Sequence, residues 1–231
     1  MKVIVIGASA GVGAATVRAA VAAGHTVTAF ARHPERLMVA SRDEDRVHRF
    51  TGDVLEAETV ARAVCNHDAV IVTLGLPTLA AIGRGKSTVI SAGTAHVIDA
   101  MRQHHVRRLI ALTAIGSGQS AADLTRPAGW ALRGGLGYLF REKDEQERLT
   151  RDSGLDWTIV RPTALTNGPA TSHARLHERF RAGVLTHVSR ADVAQAMVRM
   201  LDEHGAIGKA LAISYPNRSG LDWARWLRHY K

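Results

Sequence analysis

One cysteine in 231 residues, Cys65, excludes an internal disulfide and any cluster of thiolate metal ligands. It falls at the end of a predicted helix, where buried filler is the expected role rather than a nucleophile. No apolar run approaches the ~20 residues of a membrane-spanning helix, because Arg, His or Asp interrupts every one. The chain opens directly on a strand pattern, so no signal peptide is expected, and with the lone thiol this points to the cytoplasm. Aromatic residues are only 5% of the chain and offer few platforms for stacking bases. The 30 Lys and Arg residues never gather into a block, so nucleic acid is not expected as a partner. Internal repeats and low-complexity segments are missing too.

What is present favours one compact domain over residues 1–231, since 46% hydrophobic residues suffice for a full core. The net charge of +9 calls for an anionic partner, and a phosphate-bearing cofactor with an acidic substrate accounts for part of it. The chain is organised around its first stretch, KVIVIGASAGVG. Val3 to Ile6 is an unbroken apolar, β-branched run, which suits a strand buried on both faces of a parallel sheet. Gly7, Gly11 and Gly13 follow, and then Ala14 to Ala23 reads as an Ala-rich helix stopped by Gly24. Strand, glycine turn and helix in that order place a helix N-terminus where it can hold a pyrophosphate. Gly7, Ser9, Ala10, Gly11, Val12 and Gly13 are therefore candidate cofactor contacts. On this reading Gly13→Val abolishes cofactor affinity in a folded chain.

Strand and helix patterns alternate from there, predicting a doubly wound parallel α/β sheet with small C-terminal substrate-side elements. Thr26 to Ala31 is a second strand, and Arg32 and Arg36 follow it. An acidic residue about 20 residues beyond the glycine turn would bind the ribose hydroxyls of NAD; a guanidinium there grips a 2′-phosphate instead, favouring NADP. Val47 to Thr51 is a third strand. Asp53 and Val54 follow it at the crevice edge, where Asp53 either contacts the adenine or caps the helix from Glu56. Asp68 to Leu74 is a fourth strand, broken at Gly75, and the loop from Thr78 to Lys86 is either a phosphate contact or merely exposed. A helix is expected from Ser87 to His104, then a fifth strand from Leu109 to Thr113. Gln119 to Gly137 has no period and reads as a lid. The helix from Tyr138 to Arg151, the strand from Trp157 to Arg161 and the bend from Pro162 to Gly168 follow. Ser189 to Asp192 forms a capping box before a helix from Val193. Lys209 to Ser214 is a last strand, and a helix with Trp223, Trp226, Leu227 and Tyr230 on one face ends the chain.

The ordered set GASAGVG ending at Gly13, Gly52-Asp53-Val54, DAVIVTLG ending at Gly75 and SGLDWTIVRP ending at Pro162 resembles the atypical short-chain dehydrogenase/reductases. Within them it is most similar to the NAD(P)H-binding flavin reductase and biliverdin-IXβ reductase-like branch, with NmrA-like relatives. The similarity runs from Val3 to about Leu201. It implies a Rossmann sheet, NADP(H) as cofactor and a small-molecule electron acceptor: a flavin such as FMN or FAD, a quinone or a tetrapyrrole. Gly75, with Leu74 before it, lets the chain pass close under a nucleotide; by the resemblance Thr113 and the residues after it line the nicotinamide, Lys143 matches a basic position beside the site, and Pro162, Thr163, Ala164 and Leu165 cover the nicotinamide. A monomer or homodimer is expected.

The departures bear on mechanism. Standard members of the group pair a Tyr with a Lys four residues later on one helix, so that the ammonium lowers the Tyr pKa. Here Tyr138 is followed at that spacing by Glu142, and Lys143 is turned about 100° away. A hydroxyl common after the fifth strand is replaced by Ala114. The remaining catalytic candidates are Thr113, Ser117, Lys143 and Tyr138, with the Lys143 charge expected to attract anionic acceptors. His173 and His177 lack a third metal ligand, and no metal is expected. A non-catalytic NADP(H) sensor and an epimerase or isomerase stay open as alternatives.

Overall fold

The computed structural model describes residues 1–75, 88–127, 129, 134, 136–180, 182–183 and 186–216. The loop with Gly83, Arg84, Gly85 and Lys86, the helix start at Ser87, and the C-terminal face of Trp223, Trp226, Leu227 and Tyr230 lie outside them. The chain begins β1 (Lys2–Ile6), α1 (Gly11–Ala22), β2 (Thr26–Ala31), β3 (Val47–Thr51), α2 (Ala57–Val64) and β4 (Ala69–Val72). Next come α3 (Ser91–Gln103), β5 (Arg108–Leu112), α4 (Gly137–Arg151), β6 (Asp156–Pro162) and β7 (Ala164–Thr166). β8 (Arg175–His177), β9 (His187–Ser189), α5 (Arg190–Arg199) and β10 (Lys209–Ser214) complete it.

Eight strands form one sheet in the order β3-β2-β1-β4-β5-β6-β10-β8. All pair in parallel except β8, which runs antiparallel on β10. This is the Rossmann-like, doubly wound α/β arrangement. The apolar run of β1 explains why the sheet is covered on both sides. Val3 and Val5 face a layer built from α1 and α5, while Ile4 and Ile6 face the layer of α2 and α3. All four are fully buried, and each contributes roughly 1.5–3 kcal/mol by leaving water. The chain reverses direction across the sheet between β1 and β4, and the crevice outside their carboxyl ends is where such sheets take ligands. Among the described residues no helix is long and apolar enough to cross a membrane.

Several boundaries differ from the sequence expectation. α1 begins at Gly11, inside the glycine turn, and not at Ala14. β4 ends at Val72; Thr73 N still donates to Ile6 O at 2.9 Å, and Thr73 and Leu74 then line the crevice. α5 begins at Arg190, directly after its cap, and not at Val193. Asp53 does not cap α2: its Oδ1 accepts from Leu55 N at 3.0 Å, and Glu56 holds the N-cap position. Cys65 is half-buried at the end of α2 and so is not core filler. The bend after β6 pairs β7 with β9 in parallel, outside the main sheet.

Candidate functional site

A cleft of about 1050 Å³ opens at the carboxyl ends of the central strands. Its floor starts at the glycine turn. Gly7 (φ +90°) donates to Phe30 O at 3.0 Å and Ala8 donates to the same oxygen at 3.1 Å, so the turn is fastened to the end of β2. Ala10, extended, precedes α1 and brings no side-chain acceptor, and the first turn carries no acid. The leading N–H groups and the positive end of the helix are thus left for a ligand, and Ser9, Ala10, Gly11 and Val12 line the cleft there. A β-carbon on Gly11 would project into this space, 3.8 Å from Arg190 Nε. The cradle therefore suits a phosphate that approaches the backbone closely.

Gly13 lies outside the lining. A β-carbon there would stand 2.1 Å from Gly7 O and 2.7 Å from Thr73 Oγ1. Its lack of a side chain lets α1 pack on the sheet, and a valine would disrupt the turn itself. The expected clean loss of affinity in a folded Gly13→Val chain is corrected accordingly.

At one end of the cleft, Arg32 and Arg36 are exposed beyond β2, with Asp53 and Val54 beside them. Among the described residues neither arginine forms an ion pair. At the other end stand Leu74 and Gly75 after β4, Thr113 after β5, Pro162 at the end of β6, and Thr163, Ala164 and Leu165 leading into β7. Ile115, Leu124, Leu139 and Phe140 make an apolar wall beside them.

The polar groups here are largely engaged with one another. Thr113 Oγ1 donates to Glu147 Oε1 at 2.9 Å, and Arg161 donates to the same carboxylate from Nε at 2.9 Å and Nη2 at 2.5 Å. Lys143 is buried, and its Nζ donates to Leu74 O (2.8 Å), Leu112 O (2.9 Å) and Gln146 Oε1 (2.9 Å). It ties the ends of β4 and β5 together beneath the cleft. Burial pushes the ammonium down to about 7, against the opposing pull of Glu147 and Glu142. With all three protons committed to protein acceptors, Lys143 is a brace and not the lure for anionic acceptors that its charge suggests.

The other two catalytic candidates are not brought to the cleft. Ser117 is fully buried behind it, its hydroxyl without a partner among the described residues. Tyr138 stands in the first turn of α4, outside the lining, with the Arg141 guanidinium 5.5 Å over its ring. Desolvation first, and then Glu142, raise its phenol pKa, opposite to what a proton donor needs. His173 is exposed, while His177 stacks on Phe180 at 5.1 Å. Among the described residues no three ligating side chains gather to hold a metal.

The sequence reading missed Arg190, which lines the cleft opposite Gly11, and the apolar wall of Leu139 and Phe140. It took Ser189 to Asp192 for a cap alone. Ser189 Oγ does accept from Asp192 N at 3.0 Å. The buried Asp192 carboxylate also accepts from Thr171 N (3.0 Å), Ser172 N (2.9 Å) and Tyr215 OH (2.6 Å), fixing the segment that follows β7. Those hydrogen bonds hold its pKa down despite burial, which pushes the other way.

A family model described as NAD(P)H-binding matches residues 7–204. An uncharacterised chloroplastic protein of Arabidopsis thaliana is 28% identical over 176 residues, covering 74% of this chain and 62% of that protein. The chain thus spans 62% of the length of that relative. A 3-diazoavenalumate denitrifying reductase of a Streptomyces species is 27% identical over 257 residues, 100% of this chain and 80% of that protein. Among solved structures, ChuY, an anaerobillin reductase from Escherichia coli O157:H7, superposes with a TM-score of 0.75. It is 28% identical, and the alignment covers 96% of this chain and 100% of ChuY.

Proposed function

Because the chain belongs to the NAD(P)H-binding family, we propose that it is an NADPH-dependent reductase whose acceptor is a flavin, quinone or tetrapyrrole-like molecule. One observation carries the reading. The cleft joins an uncapped helix N-terminus and two arginines, unpaired among the described residues, to an apolar wall where none of the described residues places an acid to donate a proton. Bound NADPH supplies hydride, two electrons with one proton. Gly11 and Val12 orient the phosphates, Lys143 and Glu147 hold the ends of β4, β5 and β6 rigid, and Phe140 and Leu139 exclude water. Proximity and a dry face are then the main contribution of the protein. An acceptor that takes hydride at an electron-poor atom and collects its second proton from water suits this arrangement. FMN and FAD belong to that class as substrates.

The test is NADPH oxidation, followed by absorbance, with a panel of flavins, quinones and linear tetrapyrroles. Turnover with one class supports the reading. Tight binding of NADPH with no oxidation by any of them would instead favour a sensor of the NADPH/NADP ratio.

Two substitutions test its parts. Arg32→Ala weakens NADPH by roughly 1.5–3 kcal/mol, the scale of a hydrogen bond to a charged group, and leaves NADH unchanged. Equilibrium titration of both nucleotides checks this, and an unaltered NADPH/NADH preference would transfer the role to Arg36 or to neither. Tyr138→Phe keeps the hydride-transfer rate within about tenfold, a barrier change near 1.4 kcal/mol. A loss of about a thousandfold in single-turnover kinetics would make Tyr138 a proton donor after all.

A further inference from the structure

We infer that Arg190 is a phosphate-binding residue of this cleft, closing on the pyrophosphate of the dinucleotide from the side opposite the first turn of α1. The inference rests on the reading of the cleft as a dinucleotide site. Arg190 is the first residue of α5, and the cap that Ser189 and Asp192 form fixes its backbone. α5 packs beside α1, so the guanidinium crosses toward the glycine turn. Its Nε lies 3.8 Å from the point where a β-carbon on Gly11 would stand. A cation and the positive end of a helix therefore border the same space, an arrangement that an anion between them stabilises.

The bonding of Arg190 agrees. Nη1 donates to Asn167 Oδ1 at 2.6 Å, a neutral amide, and among the described residues no carboxylate pairs with the guanidinium. Asp192, two residues on, is turned away and held by Thr171, Ser172, Ser189 and Tyr215. A half-buried guanidinium with one neutral partner keeps most of its five donors for a ligand. Arg32 and Arg36 lie beyond β2, at the end of the cleft bordered by Asp53 and Val54, so the cations have separate tasks. Arg190 serves the phosphates common to NADPH and NADH, and Arg32 the one that distinguishes them.

Equilibrium titrations with NADPH, NADH, ADP-ribose and 2′-AMP on wild type, R190A, R190K and N167A separate these roles. R190A is expected to weaken NADPH, NADH and ADP-ribose by one common factor, roughly ten- to hundredfold. Binding of 2′-AMP, which has no pyrophosphate, is expected to stay the same, and R190K to recover part of the loss. N167A is expected to bind all four as wild type does. Unchanged NADH and ADP-ribose affinity in R190A, a loss confined to NADPH, a parallel loss of 2′-AMP, or an equal loss in N167A would each overturn the assignment. Failure of the wild type to bind any dinucleotide would overturn the underlying reading of the cleft instead.

Discussion

Gly11→Asp gives a folded protein that has lost its dinucleotide site, with NADPH and NADH both weakened by about a hundredfold or more, near 3 kcal/mol. The backbone bears the change at a modest cost in strain. Gly11 sits at φ +56°, a conformation that Asp adopts more readily than most side chains, and only Arg190 Nε approaches a β-carbon there. A carboxylate in the first turn of α1 also suits the helix dipole and offsets part of that strain, so the chain should stay folded with at most a small fall in melting temperature. Binding suffers for the same reason: the new carboxylate occupies the place of the phosphates, engages Arg190 and repels an incoming anion. Titration of both nucleotides beside a thermal melt reads the two effects separately. Retained NADH affinity in the folded variant would mean that the pyrophosphate does not lie over this turn.

The second large effect is on the fold. Glu147→Ala is expected to destabilise the chain by roughly 3–5 kcal/mol, because it leaves Arg161 buried without its counter-charge. The side chains of both partners are 5% exposed or less, and Thr113 loses its acceptor as well. A surface pair provides the contrast. Glu145→Ala removes the exposed pair with Arg148 and should cost about 1 kcal/mol or less. Urea denaturation of the two variants gives the comparison. A loss under about 1 kcal/mol for Glu147→Ala would show that the buried cluster relaxes to water, and that Thr113 is not held by it.

How much of this was legible in the sequence follows from what each element depends on. β2, β3 and β10 run over the expected residues because short strands bounded by turn residues define their own ends. The start of α1 was misplaced, because Gly11 and Gly13 are poor helix formers, whereas Gly13 packs directly on Gly7 and Thr73 and the helix begins ahead of it. β4 was carried two residues too far at its carboxyl end: Thr73 and Leu74 are as strand-like in type as their neighbours, but they line the crevice. At the cleft, the positions of the glycine turn, Arg32 and Lys143 were legible, and all three line it. The bonds that make Lys143 a brace and the approach of Arg190 to the glycine turn were not. Both depend on groups far away in the chain, the carbonyls of Leu74 and Leu112 for one and Gly11 for the other. Tyr138 was doubted on its spacing from Lys143 and on Ala114, and it lies outside the cleft lining, whereas Leu139 and Lys143 of the same helix lie in it.

The most direct measurement is a single turnover: protein saturated with NADPH is mixed with flavin, quinone or linear tetrapyrrole, and the nicotinamide fluorescence is followed. The expected result is acceptor-dependent loss of the signal, slowed when NADPH carries deuterium at the transferred position and absent in Gly11→Asp. Bound NADPH that stays reduced against every acceptor, or is oxidised as fast in Gly11→Asp as in wild type, would contradict a reductase working from this cleft.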